Sequence, residues 1–262
     1  MVLLWGGTAA AVPHDLIGGG DPVLDDPNAP ELLGDGIPPD AGPVRWRLDP
    51  ASSSILALVE PDARSLDNPR SHQHVVEARD WTGHLVLDEG RQCGGEVSVP
   101  VGAMDVDRPE LRKSLGMKVV VGEWDRGLIL EHMLDEEQLH VAAFPSIEFK
   151  VDECATLAPT DDGAQPGGWS VTGRLSLHGV TLPVTVKLRG EVGDDQLHLV
   201  GSTYIRQTSF DIEPYFALFG QRRNRDAVEL RFDLEGAPEE PADGFAPIGG
   251  GPAPADVFNG KK

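Results

Sequence analysis

The chain has 262 residues, enough for one large β domain or two small ones and for a real core. Its 22 lysines and arginines face 43 aspartates and glutamates, a formal charge of −21. Such a field repels phosphate backbones and anionic headgroups, so nucleic acid and direct membrane adhesion are excluded as expected partners, and the charge reads as solubility or adaptation to high salt. No run approaches the ~20 apolar residues needed to cross a bilayer, so no transmembrane segment is expected.

Residues 1–43 are rich in Gly, Pro and Asp, contain no Lys or Arg and show no sustained periodicity. The opening Met1-Val-Leu-Leu-Trp is apolar but lacks a basic n-region and falls short of the usual ~7–15 apolar residues, so it is not read as a secretion signal. Disorder is the plain expectation for this segment. Leu3, Leu4, Trp5, Leu32 and Leu33 leave an alternative, an arm that lies extended on a partner and orders there.

A strand-rich block follows, expected over 44–236. Trp46-Arg-Leu-Asp49 opens it, then Ser54 to Val59, Trp81 to Leu87, and Glu96 to Val101. From Arg108 to about His140 the apolar spacing loosens towards three and four, through Leu111, Leu115, Leu128, Leu130, Met133 and Leu134. One or two short helices are expected there, with Pro109 in the first turn, covering one end or flank of the sheet. Strand alternation resumes at Ile147 and Phe149, then at Val171–Leu177, Val184–Leu188 and Leu197–Arg206. It is cleanest in Val228-Glu-Leu-Arg-Phe-Asp-Leu234. Leu175 and Leu177 share a face, as do Val184, Val186 and Leu188 beyond a His178-Gly179 corner. Short alternating runs between turn signals describe an all-β antiparallel sandwich or barrel with minor helix. The tail, 237–262, returns to Pro, Gly and acid and is expected to be extended or disordered.

Several stretches carry more specific information. Phe144-Pro-x-Ile147-x-Phe149, Gly173-Arg-Leu-Ser-Leu-His178-Gly-Val-Thr-Leu-Pro183-Val, Arg206 with Ser209, Phe210 and Ile212, and Val228 to Glu235 together resemble the YceI-like family. Trp46-Arg-Leu-Asp49 with Ser54 resembles its opening strand in weaker form. The resemblance implies a lipocalin-like antiparallel β-barrel flanked by short helices, with an apolar tunnel for a polyisoprenoid or quinone-like molecule and no catalytic constellation. It also implies a periplasmic setting, whereas the absence of a recognisable signal points to the cytoplasm; both remain open. An eight-stranded barrel has room to fill itself with side chains or to hold one slender ligand.

Within that frame the candidate ligand-binding residues are Phe144, Ile147 and Phe149, then Val171, Leu175, Leu177, Val184 and Val186. Tyr204, Phe210, Phe216 and Phe219, together with Tyr215, form an aromatic group that lines either the entrance or an ordinary core. His178 is read as capping a turn carbonyl, the alternative being a proton donor to a quinone oxygen. His72 and His74 are two residues apart, so on a strand they share a face and suit a shared metal, with Glu77, Asp80 or His84 as a third ligand. The expectation is no metal, the pair being polar positions at a barrel rim bonded to nearby backbone. Cys93 and Cys154 have no metal-ligand spacing and are expected as two small buried thiols, with a mutual bridge as the alternative. Arg222, Arg223 and Arg225 are expected in a solvated loop, or else facing an acidic neighbour or a pyrophosphate headgroup.

No Gly-x-Ser-x-Gly elbow, phosphate loop or His-Glu-x-x-His helix is present. Glu136-Glu137 and Asp161-Asp162 are adjacent and diverge. The leading expectation is therefore a non-catalytic binding protein. The alternative is an accessory subunit of a larger assembly, docking through its terminal arms. A metal-dependent enzyme using His72 and His74 is a third and weaker reading.

Overall fold

Alternation in the sequence becomes alternation in burial. The computed structural model describes residues 44–65, 71–87, 93–160, 166–217 and 222–239. The N-terminal arm expected over 1–43, most of the expected tail, and Phe219 lie outside them. The strands are β1 Val44–Leu48, β2 Ser54–Pro61, β3 His74–Glu77, β4 Thr82–Leu87, β5 Cys93–Pro100 and β6 Asp105–Val106. They continue as β7 Ser146–Leu157, β8 Gly168–Leu177, β9 Val180–Val192, β10 Leu197–Arg206, β11 Phe216–Ala217 and β12 Arg222–Pro238. The expected helical region holds α1 Pro109–Ser114 and α2 Glu123–Leu134, with Pro109 in the first turn of α1.

β1, β4, β5, β7, β8, β9, β10 and β12 pair in that order, and β12 pairs back to β1, so the antiparallel sheet closes into a barrel. Closure removes the unpaired edges that an open sheet must protect. The 17-residue β12 makes this possible by serving two partners on one edge. Its last residues meet β1, with Trp46 opposite Pro238, and its middle meets β2, with Leu230 opposite Ala57. β2 then carries β3, and β3 carries β6, as a flap beyond the closed ring. β12 outlasts the expected domain end at Gly236 by two residues, and the Glu239 amide donates to the Arg45 carbonyl at 2.7 Å.

β8 and β9 join through His178 and Gly179, at φ 51° and 77°, between the paired Leu177 and Val180. Two positive-φ residues make the turn whose twist matches the flanking strands, and Gly is suited to the second place. A Cβ on Gly179 would also lie 2.6 Å from the Phe144 ring. His178 Nδ1 lies 3.1 Å from the Phe210 carbonyl. The imidazole thus caps a carbonyl as expected, though one belonging to a separate 3-10 turn, Gln207–Phe210.

The two cysteines correct an expectation. Cys93 on β5 and Cys154 on β7 form a disulfide, with Cα atoms 5.8 Å apart and a sequence separation of 61. Their strands are hydrogen-bonded neighbours, a relation that sequence separation conceals. Closing a loop of that length in the unfolded chain is worth about 4 kcal/mol in the chain-entropy model. Urea unfolding of the oxidised protein and of the Cys93→Ser/Cys154→Ser variant should therefore differ by about that amount. Equal midpoints, or two titratable thiols in the denatured, unreduced protein, would contradict the bridge.

Packing is uneven along the barrel axis. At one end Trp46, Trp81, Leu48, Leu197, Leu199 and Leu234 are all buried in a single cluster. Trp46 and Trp81 are 1% and 2% exposed, so this end is plugged. On the flap, Leu56, Leu58 and Val75 form a separate cluster with Leu111, Leu115 and Met117 from α1 and the turn after it. A third cluster gathers Leu175, Leu177, Phe210 and Ile212, and between the clusters the interior is hollow. Among the described residues, no helix is long and apolar enough to cross a membrane.

Candidate functional site

Above the plug lies a cavity of about 930 Å³, at the large end of the range for small-molecule sites. Leu85, Leu188 and Leu234, which belong to the plug's cluster, border it, and inward residues of β2, β3, β5, β7, β8, β9, β10 and β12 form its wall. Inward alternation places Ile147, Phe149, Val171, Leu175, Leu177, Val184 and Val186 on this wall, so seven of the sequence candidates meet in one space. Gly173 is what lets the Phe149 ring lie there. It sits between Val171 and Leu175 on the same face, and a Cβ on it would stand 2.6 Å from Phe149 Cζ.

The other candidates lie elsewhere. Tyr204 points out of the barrel, 67% exposed, because it takes the opposite parity to Thr203 and Ile205 on β10. Phe216 is also exposed, on the short β11. Phe210 is buried in the cluster with Leu175, Leu177 and Ile212, where it fills space instead of bounding it. Phe144 meets His178 edge-to-face, ring centroids 4.8 Å apart, and so lies over the β8–β9 turn. Of the aromatic group only Tyr215 lines the cavity among the described residues.

α2 covers the open end. Leu128, Ile129 and Met133 face the cavity, yet no residue of α2 is buried. An apolar helix face over a filled core would be shielded; over a hollow it stays half-buried. The polar lining gathers at this end: His72, His132, Gln207, Tyr215, Arg223 and Asn224. The cavity is thus apolar at depth and polar at its mouth. Arg223 therefore belongs to the wall, and its carbonyl accepts from the Asp62 amide at 2.7 Å.

His72 and His74 also lie on the wall, with ring centroids 4.5 Å apart. β3 begins at His74, so His72 sits just before the strand. The partner of His74 is a carboxylate, not the backbone the sequence suggested: its Nδ1 lies 2.6 Å from Asp107 Oδ2. Asp107 Oδ1 accepts from the Val75 amide at 3.0 Å and from the Arg112 guanidinium. Asp107 is 0% and Arg112 4% exposed. Burial works to push the Asp107 carboxyl up, but the hydrogen bond and charge of His74, then Val75 and Arg112, outweigh it and hold the group below the ordinary carboxylate value. None of the third ligands suggested by the sequence joins the pair. Glu77 pairs with Arg79 and Arg108, Asp80 takes a positive-φ turn, and His84 on β4 stands in register with Arg47 of β1.

A YceI-like domain model matches residues 46–236, which spans the closed barrel and its flap. The chain belongs to the YceI-like family. Among solved structures, it is similar to Burkholderia cenocepacia BcnA at 15% identity and TM-score 0.51, over 72% of this chain and 98% of that one. A polyisoprenoid-binding domain from Saccharophagus degradans, implicated in plant cell wall breakdown, aligns at 10% identity and TM-score 0.48 over 75% and 99%. The Campylobacter jejuni YceI protein aligns at 12% identity and TM-score 0.45 over 63% and 85%. No curated protein matches. This YceI-like barrel thus encloses an apolar hollow of the size that small-molecule sites have.

Proposed function

We propose that this YceI-like barrel encloses an isoprenoid or quinone-like molecule without chemically changing it. The observation that carries the proposal is the 930 Å³ hollow, walled by inward aliphatic side chains of a closed sheet. Hiding apolar surface there is worth about 25 cal/mol per Å², so a long branched hydrocarbon gains about 2.5 kcal/mol for every 100 Å² it withdraws from water. Ile147, Phe149, Val171, Leu175, Leu177, Val184 and Val186 are the contacts for that tail. The polar mouth, with Tyr215, Asn224 and His132, suits a head carrying oxygen atoms. The accessory-subunit alternative rests on 1–43 and the tail beyond 239, outside the described residues.

Organic extraction of protein purified from its native source, followed by mass spectrometry, is expected to release an isoprenoid. Stripped protein is expected to take up a long-chain polyprenyl alcohol or a prenylated quinone in vitro. No isoprenoid in the extract, together with no uptake of either probe, overturns the proposal.

A further inference from the structure

We infer that His72 and His74 form a site for a divalent transition metal on the cavity wall, with Asp107 as the buried carboxylate that orients His74. Among the described residues these three are the one group of histidine, cysteine and acidic side chains whose ligand atoms converge, all within 4.8 Å of one another. The carboxylate does not itself need to touch the ion. Both of its oxygens are engaged, Oδ2 with His74 Nδ1, Oδ1 with the Val75 amide and Arg112. An anionic acceptor beside Nδ1 fixes the proton on that nitrogen and leaves the Nε2 lone pair of His74 as the donor. This is the carboxylate–histidine arrangement that sets tautomer, ring direction and basicity at metal centres.

The histidine segment is also held from behind. Arg112 donates to the Gln73 carbonyl at 2.7 Å, between the two histidines, and to the Val119 carbonyl at 3.0 Å. The Asp107 amide donates to the Val75 carbonyl at 2.8 Å. A buried Arg–Asp pair is an expensive way to fix four residues of a rim if they only meet solvent. Preorganisation of two donors gives it a purpose. Two imidazoles are borderline donors that suit Zn²⁺, Ni²⁺ and, most strongly, Cu²⁺. Two protein ligands leave further positions for water or for the polar end of a cavity ligand. The charge of −21 favours cation entry. The site is independent of which molecule fills the barrel.

The test uses the full chain without a histidine tag, stripped with chelator and titrated with Zn²⁺ alone and with Cu²⁺ alone. One equivalent of each is expected to bind saturably, and the Cu²⁺ electron-spin spectrum should carry nitrogen hyperfine structure from two imidazoles. His72→Gln and His74→Gln should each weaken binding at least tenfold while keeping the β circular dichroism. Asp107→Asn should weaken it by roughly ten- to a hundredfold at unchanged stoichiometry. Should that variant fail to fold, the two histidine variants decide. His198→Gln removes the exposed outer-face histidine paired with Asp233 and should leave binding unchanged. No saturable binding, loss in only one of the two cavity variants, or loss in the His198 variant overturns the site.

Discussion

Replacing Arg112 by Met is expected to lower the unfolding free energy at pH 7 by about 1–3 kcal/mol, the usual cost of taking one hydrogen-bonding partner from a buried polar group. Arg112 is 4% exposed and Asp107 0%, so solvent does not replace the lost guanidinium, and the carboxylate keeps only His74 and the Val75 amide. The variant also frees the carbonyls of Gln73 and Val119. Acid separates the charge effect from lost packing. In the native protein the Asp107 pKa is held below its unfolded value of about 3.9, so its contribution is present above that pH and is lost as pH falls through the folded value. In the variant the carboxylate has lost one of the partners that stabilise its charge, so protonation costs it less than in the native protein. The gap between the two urea midpoints should therefore be widest near neutrality and narrow as pH falls towards and below 4. An undiminished gap in acid would mean that Arg112 acts through packing alone.

Val184→Trp is expected to lower uptake of a polyprenyl alcohol at least tenfold, about 1.4 kcal/mol or more. Val184 is half-buried on the cavity wall, opposite Gly173 in register, so the indole would project into open space beside Phe149. Because that space is empty, the fold should survive at no more than the roughly 1–3 kcal/mol of an overpacked core. Tyr204→Ala is the counterpart on the outer face and should leave uptake unchanged. Equilibrium binding with mass detection of the retained probe checks both. Full uptake by the Val184 variant would place the ligand elsewhere.

The barrel was legible because one face of each strand is apolar: Leu175, Leu177, Val184, Val186 and Leu188 alternate without a break, and a two-residue corner fixes their register. Period two specifies which side chains point inward. It does not say whether the space they enclose is occupied, so the hollow above the Trp46 and Trp81 plug could not be read from it. The same rule explains the misplaced aromatics. Tyr204 belongs to the aromatic group by residue type, but its parity on β10 sends it outward, and Phe210 lies in a 3-10 turn that buries it. Parity, available in the sequence, would have removed Tyr204. The Cys93–Cys154 bridge and the Asp107 partner of His74 are relations between segments 61 and 33 residues apart. They follow from strand order and from the flap, neither of which local pattern encodes. The charge of Arg112 suits the outer face of a helix; a buried carboxylate behind β3 draws it inward.

The way β12 closes the ring has a practical consequence for anyone rebuilding the molecule. Because Arg45 and Glu239 are hydrogen-bonded neighbours beside the tryptophan plug, the backbone enters and leaves the sheet at adjoining points, at the end remote from α2. A circular permutant that bridges these positions with a short linker and opens the chain at an exposed turn such as Gly193–Gln196 should retain the ring. A label, surface tether or fusion partner attached near either point would leave the cavity entrance unobstructed.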